Sequence, residues 1–222
     1  MQDNPHLTKK IELVEKVLSK NDKEAIRVRE FFDAHGILGL NFMSSPGSGK
    51  TTILEQLALK KSFRFNVIEG DLETENDANK LRKRGIEAVQ IQTGSACHLD
   101  AFMISEAMQK LSFEEIEVCV IENIGNLVCP ASYDVGTHYN IVLLSVTEGD
   151  DKVEKYPVMF KNADLILVSK CDLIEHFDFD PELVLQRAKK LNPHVEILQI
   201  SSKSGEGIEA LSSWICARRR KK

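Results

Sequence analysis

Several features are missing from this sequence. No apolar run reaches the roughly 18 residues that a membrane-spanning helix requires. The first residues include Asp3 and Glu12 and lack the charged-then-apolar order of a secretory signal peptide. Both absences predict a cytoplasmic protein that makes no use of a membrane.

Excess positive charge is missing as well. Lys and Arg number 29 against 34 Asp and Glu, which gives a formal net charge of −5 and a pI near 5.7. A nucleic-acid-binding surface needs a clustered basic face. The single basic block, residues 218–222, follows a helical pattern whose C-terminal end cations stabilise. We therefore predict no nucleic-acid partner.

The chain contains few cysteines, and their number is odd. The five cysteines are scattered, and no export signal accompanies them. Disulfide frameworks are typical of small secreted chains with an even cysteine count. These cysteines are therefore expected to be thiols.

What the chain does contain is enough apolar sequence for one core. With 222 residues and 42% hydrophobic content, the chain is long enough for one domain with a buried core and too short for two ordinary domains plus linkers. Residues 8–34 carry two helical patterns. Asn21 or Asp22 is a plausible N-cap of the second helix, and Gly36 lies where a glycine would end that helix. We predict an N-terminal helical hairpin in residues 1–36, for packing or oligomerisation, and one domain in residues 37–222.

From residue 37 onward, apolar runs alternate with helical patterns. The runs that indicate strands buried on both faces are 37–43, 65–69, 88–92, 118–122, 141–146, 165–169 and 197–200. Helical patterns lie between them at 52–60, 75–84, 98–111, 152–161, 181–191 and 206–217. This alternation predicts a three-layer α/β fold with a parallel-dominated sheet, whose ligands bind at the carboxyl ends of the strands.

The segment SSPGSGKT, residues 44–51, joins the first strand to the first of these helices. A sharp turn through Gly47 and Gly49 points backbone N–H groups at a triphosphate. Lys50 then reaches the β and γ phosphates, and the Thr51 hydroxyl binds Mg²⁺. The predicted nucleotide-binding residues of this P-loop are Pro46, Gly47, Ser48, Gly49, Lys50, Thr51 and Thr52.

Two later strand ends are predicted to bind the base. Asp172 can accept both the N1–H and the N2–H of guanine, and the stem of Lys170 can lie along the purine. Ser202 and Lys203 follow the last strand and resemble a loop that contacts the base oxygen through its backbone. Either motif alone also occurs as a chance helix cap. Their order after a phosphate loop favours GTP over ATP.

Acidic residues end the second and fourth strands. Carboxylates there can hold Mg²⁺ directly or through water. Asp71 is our first choice for orienting Mg²⁺ or the attacking water, and Glu122 is the second. With Lys50 they form the predicted catalytic set. Gly125 is expected to contact the γ-phosphate, and Asp77 is interpreted as a solvated helix residue.

A second group of residues indicates different chemistry. Cys97 and His98 lie at a predicted helix start, and Cys129 lies shortly after Glu122. Thiolate and imidazole favour zinc, nickel or copper over magnesium. Such widely separated residues are often unrelated, so composition alone leaves this site open. The remaining cysteines are interpreted as packing or incidental thiols: Cys119, Cys171 and Cys216.

Five motifs together resemble the hydrogenase nickel incorporation GTPases, the HypB family. They are SSPGSGKT at 44–51, EGD at 69–71, TGSACHL at 93–99, ENIGNLVCP at 122–130, and the segment 148–157 that runs from EGDDK to KYP. The resemblance extends over nearly the whole chain beyond residue 36.

The resemblance implies a slow, Mg²⁺-dependent GTPase that releases GDP, forms a GTP-dependent homodimer and acts as a metallochaperone. Its implied partners are a nickel-insertion accessory protein and the [NiFe]-hydrogenase large subunit, with urease accessory proteins as a further class. It also implies that Cys97, His98 and Cys129 hold Ni²⁺ or Zn²⁺ at the dimer interface. Lys155 is then expected to contact the nucleotide of the neighbouring subunit.

Other functions stay open at this point. A P-loop kinase or ATPase should show an arginine-rich lid and an acceptor pocket, and Asp172 argues against it. A related nickel GTPase for urease, or a chaperone for a cobalamin enzyme, would share the architecture. The intact Lys50 and Thr51 argue against a structural scaffold.

Overall fold

The structure, a computed structural model, describes residues 5–71 and 76–219. Residues 220–222 of the predicted basic block, residue 75 of a predicted helix and Asp3 lie outside the described residues. None of the helices in the described part is long and apolar enough to cross a membrane.

Within residues 5–71 and 76–219, seven parallel strands form one sheet in the order β3-β2-β4-β1-β5-β6-β7. They are β1 (Leu38–Ser44), β2 (Phe65–Asp71), β3 (Ala88–Gln92), β4 (Val118–Glu122), β5 (Tyr139–Ser145), β6 (Leu165–Ser169) and β7 (Glu196–Ile200). All six pairings are parallel. Each predicted strand is confirmed within two residues at either end, because apolar runs buried on both faces leave little ambiguity.

Eight α-helices cover the two faces of the sheet in the described residues. They are α1 (Pro5–His35), α2 (Lys50–Lys60), α3 (Asn76–Lys83), α4 (Ala101–Met108), α5 (Lys152–Lys155), α6 (Pro157–Lys161), α7 (Pro181–Leu191) and α8 (Ile208–Arg218). Helices α2, α3 and α8 pack on one face, and α1, α4, α5, α6 and α7 pack on the other. The predicted three-layer α/β fold of a P-loop domain is confirmed.

The N-terminal segment is one continuous helix, so the predicted hairpin is wrong. Asn21, which was expected to cap a second helix, is 3% exposed. Its Oδ1 accepts from the Ala101 N–H at 2.9 Å, and its Nδ2 donates to the Asp134 carbonyl at 2.8 Å. A side chain engaged in these contacts does not break the helix. Gly36, with φ of 66°, follows the helix end as predicted.

Two other helix predictions need correction. Helix α4 begins at Ala101 because Asp100 caps it, accepting from the Met103 N–H at 2.9 Å. Cys97 and His98 therefore lie in the preceding loop. The helix predicted over 152–161 is divided into α5 and α6, since Pro157 begins a new helix.

The proposed boundary at residue 36 stays a prediction. Val28 and Phe32 of α1 are buried in the same apolar cluster as Ile121 of β4. Helix α1 thus shares an apolar core with the sheet.

Candidate nucleotide and metal sites

The P-loop has the backbone that its glycines predict. Strand β1 ends at Ser44 and α2 begins at Lys50. Gly47 has φ of 73° and Gly49 has φ of 96°, a region that side chains other than glycine rarely adopt. Gly125 packs against this loop so closely that a Cβ on it would lie 2.8 Å from the Pro46 Cα. The loop after β4 therefore contacts the P-loop directly.

The two chemically active P-loop side chains are already oriented. The buried Lys50 Nζ donates to the Ser44 Oγ at 2.8 Å. Most P-loops begin with glycine at the position of Ser44, so here the serine hydroxyl gives the amine an acceptor. Burial lowers the pKa of Lys50, and the charge of Glu122 opposes that shift. The Thr51 Oγ1 donates to Glu122 Oε1 at 2.7 Å. Thr52 follows in the first turn of α2 and is exposed.

A cavity of about 240 Å³ adjoins this loop, and we name it the acidic cavity. Its lining is Pro46, Gly47, Lys50, Glu69, Gly70, Asp71, Asp77, Glu122, Asn123, Ile124 and Gly125. Asp77 lies in α3, as predicted, and its side chain is 39% exposed, but it also lines this cavity, which the sequence did not indicate. All three predicted catalytic residues, Lys50, Asp71 and Glu122, line it together.

The acidic cavity fits a cation. Glu69 and Glu122 are paired across β2 and β4, and both are buried. Within the described part of the chain, the Oε2 atom of each carboxylate has no hydrogen-bond partner. Burial, reinforced by Glu122, raises the pKa of Glu69 to about 8. Oxygen ligands that lack partners suit Mg²⁺, which also keeps several waters.

The raised pKa of Glu69 predicts a pH dependence of stability in the protein free of metal and nucleotide. Between about pH 4.5 and about pH 8 the folded state holds a proton on Glu69 that the unfolded state releases, so the free energy of unfolding falls as pH rises. Thermal unfolding followed by circular dichroism should show this decline. Glu69→Gln, which removes this titration, should make the decline shallower, and Glu122, whose pKa is also raised by burial, should keep part of it. Equal slopes in both proteins would contradict the prediction.

The predicted base-binding loops meet beside the P-loop. The Ser201 Oγ donates to Asp172 Oδ1 at 2.6 Å and accepts from the Lys203 N–H at 3.2 Å. The Ser169 Oγ donates to the Ser48 carbonyl at 2.8 Å. The hydrogen bonds that Ser201 and Ser169 make were not predicted, although both residues stand at strand ends. Lys170, with φ of 59°, begins the turn that leads to Asp172, and Ser202 is half-buried in the neighbouring loop.

A further connection joins the P-loop to the segment after β5. Glu148 Oε1 accepts from the Ser48 Oγ at 2.7 Å and from the Ser145 N–H at 3.2 Å. Lys155 on the same segment is exposed and pairs with Asp151 at 2.5 Å. It does not line the acidic cavity of its own chain.

Three candidate metal ligands come together on the two loops predicted to carry them. The Cys97 Sγ lies 2.7 Å from the Cys129 Sγ and 3.7 Å from the His98 Nδ1. All three ligand atoms lie within 4.8 Å of one another, and we name these residues the thiol cluster. Burial lowers the pKa of His98, which favours the neutral imidazole that binds metals. The hydrogen bond with Cys97 raises the pKa of Cys129.

Neighbouring side chains orient these ligands. The ring of Tyr133 stacks on that of His98, with centroids 3.8 Å apart. Asn126 Oδ1 accepts from the Val128 N–H at 2.7 Å and the Cys129 N–H at 3.3 Å. The donor set of two thiols and one imidazole therefore fits zinc or nickel.

Comparison with known proteins identifies the chain. Residues 40–199 match the family described as CobW/HypB/UreG, nucleotide-binding domain. Over 225 residues the chain is 51% identical to the hydrogenase/urease maturation factor HypB of Helicobacter pylori strain J99, covering 99% of this chain and 93% of that protein. The chain belongs to the HypB family.

Solved HypB structures have the same fold. The crystal structure of HypB from Helicobacter pylori in complex with nickel has a TM-score of 0.87 and 47% identity, over 91% of this chain and 98% of that one. HypB from Archaeoglobus fulgidus has a TM-score of 0.83 and 37% identity, over 90% and 98%. The predicted family and fold are thus confirmed, and the chain contains a nucleotide-binding domain.

In this HypB-family chain, the acidic cavity and the thiol cluster share a structural element. The Leu99 N–H, next to His98, donates to Asn123 Oδ1 at 3.2 Å. Gly70 packs so closely on Leu99 that a Cβ would lie 2.8 Å from its side chain. Asn123 and Gly70 both line the acidic cavity. Two residues that line the acidic cavity are therefore in direct contact with Leu99, the residue that follows His98.

Proposed function

We propose that this protein is a GTP-hydrolysing metallochaperone that binds nickel or zinc and assists nickel insertion into [NiFe]-hydrogenase. The observation that carries the proposal is the joining of two sites in one HypB-family chain: the acidic cavity beside the P-loop and the thiol cluster, connected through Leu99. We further propose that it works in the cytoplasm, with a nickel-insertion accessory protein and the hydrogenase large subunit as partners.

In the proposed hydrolysis, Lys50 neutralises the β and γ phosphates and the P-loop N–H groups cradle them. Thr51 and Glu122 hold Mg²⁺, which supplies positive charge against the phosphates when it is bound. Asp71 orients Mg²⁺ or the attacking water, and Gly125 contacts the γ-phosphate. The support is the buried, partner-free Oε2 of Glu122 within the described residues and the Thr51 hydroxyl beside its other oxygen.

The proposed metal is cargo held by the thiol cluster. With GDP, three protein ligands and a water suit tetrahedral zinc. In a GTP-bound dimer, two Cys97–Cys129 pairs can offer four sulfurs, a set suited to square-planar nickel. Gly125, packed on Pro46, lies four residues before Cys129, so a γ-phosphate contact at Gly125 would re-aim that thiol.

We expect nucleotide state to change nickel binding at the thiol cluster. Isothermal titration and absorption spectroscopy of full-length protein should give different nickel affinities and spectra with GDP and with a non-hydrolysable GTP analogue. Cys129→Ala should lose the sulfur-to-nickel band in both states, whereas Cys216→Ala, a partly buried thiol outside the cluster, is the matched control. Linkage requires nickel to change nucleotide affinity by the same factor. Identical affinities and spectra in both states would reduce the site to a static one.

We expect dimerisation to depend on GTP. Lys155 is exposed, and its present partner Asp151 is also accessible, so the cation is available to a neighbouring nucleotide. An exposed ion pair of this kind contributes little to stability because water screens it, so Lys155 can leave Asp151 at little cost. Sedimentation should show mostly monomer with GDP and dimer with GTP analogue plus Mg²⁺. Lys155→Ala should reduce the dimer, whereas Lys161→Ala should not. Equal dimer populations in both nucleotide states would contradict this.

A second candidate function is nickel delivery to urease. It is favoured by the 51% identical Helicobacter pylori relative, which is named a hydrogenase/urease maturation factor. The same cargo site would serve both enzymes, with urease accessory proteins as partners. Deleting the gene and measuring both enzyme activities, with and without added nickel, separates the two functions.

A further inference from the structure

One buried residue of α1 contacts the chain close to both parts of the thiol cluster: the first residue of α4, and the second residue after the 3₁₀ turn Cys129–Ser132. Asn21 accepts from the Ala101 N–H at 2.9 Å and donates to the Asp134 carbonyl at 2.8 Å. Ala101 lies three residues after His98, and Asp134 lies five residues after Cys129. A single amide therefore spans the two chain segments that carry the ligands.

The contact at Asp134 is adjacent to the aromatic side of the thiol cluster. Tyr133, the preceding residue, stacks on His98 with an angle of 23° between the rings. Arg29 of α1 donates to both carboxylate oxygens of Asp134, at 2.9 and 2.7 Å, and to the Thr137 carbonyl at 3.2 Å. Helix α1 thus fixes the backbone that carries the Tyr133 ring.

The packing between α1 and this loop is close. Gly136 has φ of 82°, and a Cβ at that position would lie 2.5 Å from the Val28 Cβ and 2.7 Å from the Ala25 carbonyl oxygen. The loop backbone therefore lies directly on the helix. Asn21 in addition links this loop to the start of α4.

We propose that Asn21 is a positioning residue of the metal site: it holds the Cys97–His98 loop and the Cys129 loop at the separation at which one ion contacts all three side chains. The inference rests on the proposed function of the thiol cluster. Preorganised ligands bind more tightly because fewer groups must be ordered on binding. Residues behind metal ligands commonly change metal affinity about 10- to 100-fold when they are replaced.

The test is nickel affinity and the sulfur-to-nickel absorption of full-length Asn21→Ala in the GDP-bound state, below the melting temperature of every variant. We expect affinity to fall at least about tenfold, with GDP affinity unchanged. Asn66→Ala is the matched control. Asn66 is fully buried and donates to the Ser112 carbonyl at 3.0 Å, at the opposite end of β2 from the sites. It should lose stability and keep its nickel affinity.

Three further variants keep the test decisive if Asn21→Ala does not fold. Asn21→Asp keeps an acceptor for the Ala101 N–H and loses the donor to Asp134, so its nickel affinity should fall below that of wild type. Tyr133→Leu should weaken nickel binding and shift its absorption, whereas Tyr133→Phe keeps the stacked ring and should match wild type.

The possible results distinguish failure of the positioning role of Asn21 from failure of the proposed function of the thiol cluster. Wild-type nickel affinity in Asn21→Ala and Asn21→Asp would overturn the positioning role and leave the proposed function intact. An equal loss in Asn66→Ala would also overturn that role, because it would show a general effect of destabilisation. Absence of nickel binding by the wild-type protein would overturn both.

Discussion

Replacing Lys50 with alanine is expected to abolish GTP hydrolysis while leaving the fold intact. The Lys50 amine is buried and donates to the Ser44 hydroxyl at 2.8 Å, a position from which it adjoins the acidic cavity. Negative charge on the transferring phosphoryl group would lose its fixed cation. Removing one preorganised donor commonly lowers kcat about 100- to 1,000-fold, and a charged donor should cost at least as much.

The experiment compares phosphate release at saturating GTP and Mg²⁺ in three variants. Lys50→Ala and Lys50→Met both lose the cation, but methionine keeps most of the apolar stem, so agreement between them excludes a packing defect. Lys60→Ala, at the last turn of the same helix, removes an exposed lysine that pairs with Glu209 at 2.9 Å and should hydrolyse GTP normally. Circular dichroism checks the fold. Hydrolysis within tenfold of wild type in both Lys50 variants would remove the catalytic assignment.

The strands were predictable because the physics behind them is local. Runs such as 118–121 and 165–168 are apolar at every position, and the structure buries every one of these residues. The P-loop was predictable for a similar reason, since the positive φ angles of Gly47 and Gly49 follow from residue type. In both cases the signal lies within a few consecutive residues.

The errors arise where a side chain has a distant partner. Asn21 carries a helix-cap signal, yet its amide is used 80 residues away at Ala101 and 113 residues away at Asp134. Glu148 was not selected as a site residue, although it accepts from Ser48, 100 residues earlier. Local patterns do not contain such pairings, because they depend on which strand ends meet.

The thiol cluster could be predicted only in part from the sequence. Its residue types indicated metal chemistry, but the separation of Cys97 from Cys129 in sequence gave no evidence that they meet, and only the family resemblance joined them. The fold explains the meeting. Strand β4 lies beside β2, so the loop after β4 packs against Leu99, which itself rests on Gly70 at the end of β2. The topology thus brings together residues that spacing alone leaves apart.

Replacing Asp172 with asparagine is expected to exchange guanine for xanthine. The alternative interpretation of Asp172 is that it only caps a helix. Asparagine caps a helix as well as aspartate does, so in that case the variant would bind GTP as the wild type does. If Asp172 binds the base, asparagine keeps an uncharged acceptor for guanine N1–H but places an N–H donor opposite the N2–H donor, so one hydrogen bond to a charged acceptor is lost. Such a bond contributes about 1.5–3 kcal/mol, so GTP affinity should fall at least about tenfold.

Xanthine presents a carbonyl where guanine has its amino group, and the amide of asparagine can donate to that carbonyl while still accepting from N1–H. Xanthosine triphosphate should therefore bind to Asp172→Asn and be hydrolysed through the unchanged Lys50. The Ser201 hydroxyl, which donates to Asp172 Oδ1 at 2.6 Å, can donate equally to the amide oxygen and keep the side chain in place. Asp180→Asn, which alters the cap of α7, is the matched control and should keep its preference for GTP. Unchanged GTP affinity in Asp172→Asn, or ATP binding by the wild-type protein as tight as GTP binding, would remove the guanine assignment and favour a P-loop ATPase or kinase.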